Sequence, residues 1–64
     1  MPVQFRTQQG RTLEREDLTA EDITYALGGL VEVIGYEPGR EPPIEFHANT
    51  RHIVEWWDIP GETP

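Results

Sequence analysis

The absence of cysteine is the feature that most restricts how this chain of 64 residues can fold. A chain this short buries only about 60% of the surface that its unfolded form exposes, so its stability margin is thin. Without cysteine, neither a disulfide nor a thiolate metal site can add stability. The fold therefore has to rest on the packing of apolar residues, on a partner chain, or on both.

The charge of the chain is strongly negative, since twelve carboxylates face five basic residues and the formal net charge is −7. Phosphates repel such a surface, and no basic patch is evident, so we expect no direct contact with nucleic acid. Partners are expected to be basic or to be contacted through apolar groups. All five basic residues are arginine, which favours a GC-rich bacterial or phage source.

The first part of the chain has the pattern of a β-hairpin. Apolar and polar residues alternate over Val3–Thr7, as they do in a half-buried strand. A three-residue loop ending at Gly10, which is free to take positive φ, would place Leu13 opposite Phe5. We favour this register because it aligns the apolar faces of the two strands.

The clearest local signal marks the start of a helix. Thr19 is a good N-cap residue, and Asp22 stands at the reciprocal position of a capping box. The pattern predicts a helix from about Ala20 to Leu27. The glycine pair Gly28 and Gly29 is expected to end it, because glycine readily supplies the left-handed residue of a helix terminus.

Three further strands are predicted after the helix. The run Leu30–Tyr36 is apolar on both alternating faces apart from one glutamate, which is typical of a central strand. The segment Glu37–Arg40 fits a type II turn. Two more strands, Ile44–Ala48 and Arg51–Asp58, would then form a hairpin through the tight connection Asn49–Thr50.

This order of elements predicts an α+β fold for residues 1–59, in which one short helix packs on a small, mainly antiparallel sheet of order β-β-α-β-β-β. A small SH3-like barrel is the alternative, since the helix spans only about two turns. Residues 60–64 are predicted to form a polar C-terminal tail. No apolar run is long enough for a membrane span, and no signal peptide is evident. We therefore expect a cytoplasmic protein, or a virion protein if a phage encodes it.

Trp56 and Trp57 are neighbours in the last predicted strand. Successive side chains of a strand point to opposite faces of the sheet, so one indole is expected on an outer face. A large exposed aromatic is a usual anchor of a protein–protein contact. The loop length at Asn49–Thr50 decides which of the two rings is the outer one, and that choice stays open.

The functional prediction is a non-enzymatic accessory or structural protein that docks onto a larger protein or assembles with copies of itself. A small phage virion component is one concrete form. The predicted contact surface consists of aromatic and proline residues: Trp56, Trp57, Tyr36, Pro38, Pro42 and Pro43.

An acidic ridge supports an alternative function. Its carboxylates could imitate the phosphate backbone of DNA and so inhibit a nucleic-acid-binding protein. The simpler explanation is a solvated connector followed by a first helical turn, where the helix dipole favours negative charge. The ridge consists of Glu14, Glu16, Asp17, Glu21 and Asp22.

The sequence offers little chemistry for catalysis. No Ser/His/Asp or Cys/His set and no glycine-rich phosphate loop is recognisable, and the chain is too short to enclose a typical pocket. His47 and His52 could face each other across the last predicted hairpin, but their spacing matches no strong zinc motif. We predict no enzymatic activity, no cofactor and no metal site.

Overall fold

A computed structural model of the protein describes residues 2–60. The helix and strand order confirms the predicted α+β class. Apart from Pro60, the predicted C-terminal tail lies outside the described residues. No helix within residues 2–60 has the length and apolar character needed to cross a membrane. The elements are β1 (Val3–Thr7), β2 (Thr12–Arg15), α1 (Ala20–Gly29), β3 (Glu32–Tyr36), β4 (Glu45–Asn49), a 3-10 turn (Thr50–His52) and β5 (Ile53–Asp58).

All five strands belong to one antiparallel sheet, with the spatial order β4-β3-β2-β1-β5. The predicted first hairpin is confirmed, because Phe5 lies opposite Leu13 and Gly10 in the connecting loop has a φ of 88°. After β3, Gly39 has a φ of 76°. A type II turn requires such a left-handed residue at its third position.

The predicted hairpin between β4 and β5 is wrong. β5 pairs with β1, where Trp56 lies opposite Phe5. Within residues 2–60 β4 pairs only with β3, so β4 and β5 lie at opposite edges. A tight hairpin at this point needs residues with positive φ. Asn49 instead has a φ of −65°, and its side-chain oxygen accepts a hydrogen bond from the amide of Arg51 at 2.9 Å. Asn49 therefore caps the 3-10 turn.

The short link between β4 and β5 requires a strongly curled sheet. In a flat sheet, four strand spacings of about 4.8 Å would separate the two edges by roughly 19 Å. The four residue steps from Asn49 to Ile53 can span at most about 14 Å. The sheet therefore bends until its edge strands approach each other, as it would in the alternative barrel. Within residues 2–60, no hydrogen-bonded ladder joins β4 to β5.

The N-terminus of α1 has the predicted capping box. The hydroxyl oxygen of Thr19 accepts a hydrogen bond from the amide of Asp22 at 3.2 Å. The carboxylate of Asp22 in turn accepts one from the amide of Thr19 at 2.9 Å. Two amides that would otherwise lack partners are thereby satisfied, and the helix begins at Ala20, as predicted.

The C-terminus of α1 differs from the prediction. The helix continues through Gly28 and Gly29, and neither glycine has positive φ. Leu30 ends it in an extended conformation, with its amide donating a hydrogen bond to the carbonyl of Ala26 at 2.7 Å. As a result β3 begins at Glu32, two residues later than predicted, and Leu30 is part of the connection.

The core lies on one face of the sheet, under α1. At its centre the ring of Phe5 packs directly on the backbone of β3 at Gly35. A Cβ atom added to Gly35 would lie 2.7 Å from the Phe5 ring and 2.8 Å from the Cβ of Leu13. Only glycine fits there. The buried apolar residues are Val3, Phe5, Leu13, Ile23, Val33, Ala48 and Ile53.

Candidate functional site

The two tryptophans point to opposite faces of β5, as the alternation predicts. Trp56 lies opposite the buried Phe5 on the core face, and Trp57 lies opposite Gln4 on the outer face. Both rings are half-buried. The indole N–H of Trp56 donates a hydrogen bond to the hydroxyl of Thr24 at 2.9 Å. Trp56 therefore joins the helix to the sheet, and Trp57 is the ring that faces outward.

The outer face of the sheet carries the remaining aromatic residues of the predicted contact surface. The strand register places one residue from each strand in a single row: Trp57, Gln4, Glu14, Tyr36 and Glu45. Between the two aromatics, the side-chain amide of Gln4 donates a hydrogen bond to Glu14 at 3.0 Å. Three strand spacings, roughly 14 Å, separate Trp57 from Tyr36. The two rings share a face but form no common cluster.

A groove of about 670 Å³ lies between the β2–α1 connection and the loop from β3 to β4. This groove joins parts of two surfaces that the sequence presented as alternatives. Pro42 belongs to the same loop but not to the lining, and Glu21 and Asp22 lie on α1. The lining includes three residues of the predicted contact surface and three of the acidic ridge: Tyr36, Pro38, Pro43, Glu14, Glu16 and Asp17.

The two arginines in this groove are held by neighbouring carboxylates. Arg15 pairs with Asp17 at 2.8 Å and also donates to the carbonyl of Ile34 at 2.9 Å, while Arg40 pairs with Glu37 at 2.9 Å. The hydrogen bond from Arg15 lowers the pKa of Asp17, and the same bond raises the pKa of Arg15. The other carboxylates of the lining keep the groove negatively charged: Glu14, Glu16 and Glu41.

The two histidines do not face each other, because the hairpin that would pair them does not form. His47 lies on the outer face, with its Nδ1 3.0 Å from a carboxylate oxygen of Glu32 and its Nε2 3.6 Å from one of Glu45. These carboxylates, Glu32 first, raise the pKa of His47. His52 ends the 3-10 turn. Among residues 2–60, no group of three or more metal-ligating side chains has a suitable arrangement for a metal ion.

Sequence reasoning missed an exposed apolar surface near the end of α1. The side chains of Tyr25, Leu30 and Val31 are 86%, 60% and 76% exposed. Leu30 and Val31 had the pattern of a buried strand, but the longer helix moves both of them into the connection before β3. The hydroxyl of Thr50 fixes this connection by hydrogen bonding to the carbonyls of Leu30 and Val31, at 3.0 and 3.1 Å.

Val54, which is 49% exposed, lies on β5 at the register shift between β1 and β5. α1 and β5 run in opposite directions. The amide of Ala20, at the start of α1, donates a hydrogen bond to Asp58 at the end of β5, and Trp56, earlier in β5, donates one to Thr24, later in α1. We name the exposed surface near the end of α1 the α1 C-terminal patch: Tyr25, Gly28, Gly29, Leu30 and Val31.

The chain was compared with protein-family models, with curated proteins and with solved structures. None of the three comparisons finds a match. Function therefore has to be inferred from the two surfaces themselves, which are the acidic groove beside Tyr36 and the α1 C-terminal patch.

Proposed function

We propose that the protein is a non-enzymatic accessory or structural protein that docks onto a larger protein through the acidic groove. The observation that supports this proposal is the position of Tyr36, Pro38 and Pro43 in the lining of the groove. Tyrosine offers a large, rigid contact area with a polar end, which suits a protein interface. Proline has almost no side-chain conformational entropy to lose when a partner binds.

The charge of the groove indicates the chemistry of the partner. Five carboxylates and two arginines line it, and both arginines already form ion pairs within the chain. A partner segment that carries arginine or lysine would complement this excess of negative charge. Its cationic group could also stack on the ring of Tyr36. We therefore propose that the partner presents a basic segment with apolar residues.

A small phage virion component remains one concrete form of this proposal. The acidic, lysine-free composition supports a GC-rich bacterial or phage source. Such a protein would act in the host cytoplasm or in the virion.

Affinity capture from the native host with a tagged chain tests the proposal. We expect the wild-type chain and the Tyr25→Ala variant to retain the same protein. Tyr36→Ala should retain at least about tenfold less of it, because a buried aromatic anchor contributes much of the binding energy. Tyr25→Ala is the matched control, since it removes an exposed aromatic ring outside the groove.

Glu16→Lys provides a second groove variant that leaves β3 intact, because Glu16 is exposed in the β2–α1 connection. It should also reduce capture, since it reverses one of the charges that would attract a basic segment. Circular dichroism would show whether each variant is folded. Undiminished capture by both folded groove variants would contradict the proposal.

The acidic-inhibitor alternative stays a prediction. Three carboxylates of its ridge have partners within the chain: Glu14 binds Gln4, Asp17 binds Arg15, and Asp22 caps α1. The variant Glu21→Gln separates the two functions, because Glu21 lies on the helix and outside the groove. A mimic of DNA should bind its target less tightly after this change, whereas docking through the groove should be unaffected.

A further inference from the structure

We infer that the α1 C-terminal patch joins two copies of this chain about a twofold axis. In this arrangement Tyr25 of each copy lies on Gly28, Gly29 and Leu30 of the other copy. The inference does not depend on the groove, because the patch shares no residue with the lining of the groove.

The patch is unusual for a small acidic protein. Single exposed apolar residues are normal on protein surfaces, whereas contiguous ones mark interaction sites. Tyr25, Leu30 and Val31 are three of the five large apolar side chains that are exposed within residues 2–60. Tyr25 lies on α1, and Leu30 and Val31 directly follow that helix, while the chain as a whole has a formal charge of −7.

Tyr25 and the glycine pair form a protrusion and a complementary seat on one helix face. Gly28 and Gly29 follow Tyr25 by three and four positions, so all three residues share that face. Helical side chains lean towards the N-terminus, and the ring of Tyr25 therefore leaves the glycine backbone uncovered. Apart from the adjoining turns of α1 itself, a Cβ added to either glycine would meet no atom of residues 2–60 within 4 Å, so the seat is open.

Antiparallel crossing of two α1 helices would fill both seats at once. With a twofold axis close to Tyr25, the ring of each copy points towards the C-terminal half of the other helix. It then covers the bare backbone of Gly28 and Gly29 and contacts Leu30. Twofold interfaces require this kind of self-complementarity, because the same surface patch serves both subunits.

The charges around the patch also favour a second copy of the chain as its partner. Glu21 lies in the first turn of α1, and Arg51 lies near its end, next to the Thr50 hydroxyl that binds the Leu30 and Val31 carbonyls. Within the described part of the chain, neither Glu21 nor Arg51 has an ion-pair partner. Antiparallel crossing would bring Glu21 of one copy towards Arg51 of the other, on both sides of the axis, and would oppose the two helix dipoles favourably.

The size of the patch indicates a reversible dimer. A standard interface buries about 800 Å² of each partner, which is roughly a sixth of the 4576 Å² surface of this chain. One face of a helix that is about 15 Å long, together with the adjoining connection, supplies less than that. We therefore expect a dimer that dissociates on dilution.

Sedimentation equilibrium over a series of protein concentrations tests the inference at about 0.15 M salt, where long-range repulsion between the acidic chains is screened. The wild-type chain should shift from 7.4 kDa towards twice that mass as its concentration rises. Tyr25→Ala should raise the dissociation constant at least about 30-fold, as the loss of an interface hot spot does. Gly29→Gln should also weaken the dimer, because its side chain fills the seat.

A charge exchange tests the antiparallel arrangement. Glu21→Arg and Arg51→Glu should each weaken the dimer, and the double variant should restore it to the wild-type range. Tyr36→Ala, a change in the groove, should leave the dimer unaffected, so failure here is distinguishable from failure of the docking proposal. A constant mass of 7.4 kDa at every concentration, or a dimer that Tyr25→Ala leaves unchanged, overturns the inference. A dimer without restoration in the double variant overturns the antiparallel pairing.

Discussion

At the scale of single residues, Trp56 and Trp57 occupy the core face and the outer face of β5. Trp56 and Trp57 diverge because consecutive residues of any strand do. Which ring faces the core depends on the pairing strand, and that strand is β1, some fifty positions away in the chain. The sequence therefore predicted one outward tryptophan but could not identify Trp57. It also could not show that Trp56 would donate a hydrogen bond to Thr24.

Gly35→Ala tests how tightly the core packs on β3. The added methyl group would lie 2.7 Å from the ring of Phe5 and 2.8 Å from Leu13, closer than real Cβ atoms approach. We expect overpacking to lower the free energy of unfolding by roughly 1–3 kcal/mol. The matched control is Gly28→Ala, where φ is not positive and the methyl group meets no described atom within 4 Å outside its own helix.

Gly28→Ala should be neutral or should stabilise the folded protein by up to about 1 kcal/mol, because alanine has the higher helix propensity. Urea denaturation in dilute protein measures both variants. Equal free energies of unfolding for the two variants would show that Gly35 is not a close-packed position.

At the scale of elements, local signals predicted the start of the helix better than its end. The capping box of Thr19 and Asp22 consists of neighbouring residues and formed as predicted. The glycine pair was expected to stop the helix, and it did not. Contacts from outside the helix hold its end instead, since the Thr50 hydroxyl binds the carbonyls of Leu30 and Val31. For this reason the exposed patch at that end was not visible in the sequence.

Thr50→Ala tests whether this contact holds the end of the helix in place. The substitution removes the hydroxyl that donates to both carbonyls, while the backbone hydrogen bond from Thr50 to Val31 stays. We expect the free energy of unfolding to fall by about 1 kcal/mol. Thr50→Ser keeps the hydroxyl and should lower the free energy of unfolding clearly less. Hydrogen exchange at the amide of Leu30, which binds Ala26, should be faster in the alanine variant only.

At the scale of the whole molecule, the pairing of distant strands determines the strand order of the sheet, and local sequence patterns do not reveal that order. Five strands, one helix and the first hairpin were predictable from local patterns. The short link at Asn49 and Thr50 has the length of a hairpin loop, yet it connects opposite edges of a curled sheet. The pairing of the neighbouring strands β2 and β3 brings the loop after β3 near the β2–α1 connection and so forms the acidic groove. Neither surface could therefore be located before the fold was known.

An engineered disulfide tests the pairing of β1 with β5, because the chain has no cysteine of its own that could compete for the bond. Arg6 and Glu55 lie opposite each other on β1 and β5 and form an ion pair at 2.8 Å. Opposite residues of antiparallel strands have Cα atoms about 4.5–5.5 Å apart, within the range of a disulfide. Arg6→Cys combined with Glu55→Cys should therefore oxidise within one chain, and the closed loop should stabilise the fold by up to about 4 kcal/mol.

The matched control combines Ile44→Cys with Glu55→Cys, a pair that would lie opposite each other only in the hairpin of β4 and β5. In the curled sheet Glu55 lies beside β1, whereas Ile44 precedes the edge strand β4, so this pair should stay reduced. Mass spectrometry under mild oxidation detects the cross-link, and thermal unfolding with and without reductant measures its effect. Efficient cross-linking of the control pair alone would mean that β5 pairs with β4. The residues that form the acidic groove and the α1 C-terminal patch would then differ from those described above.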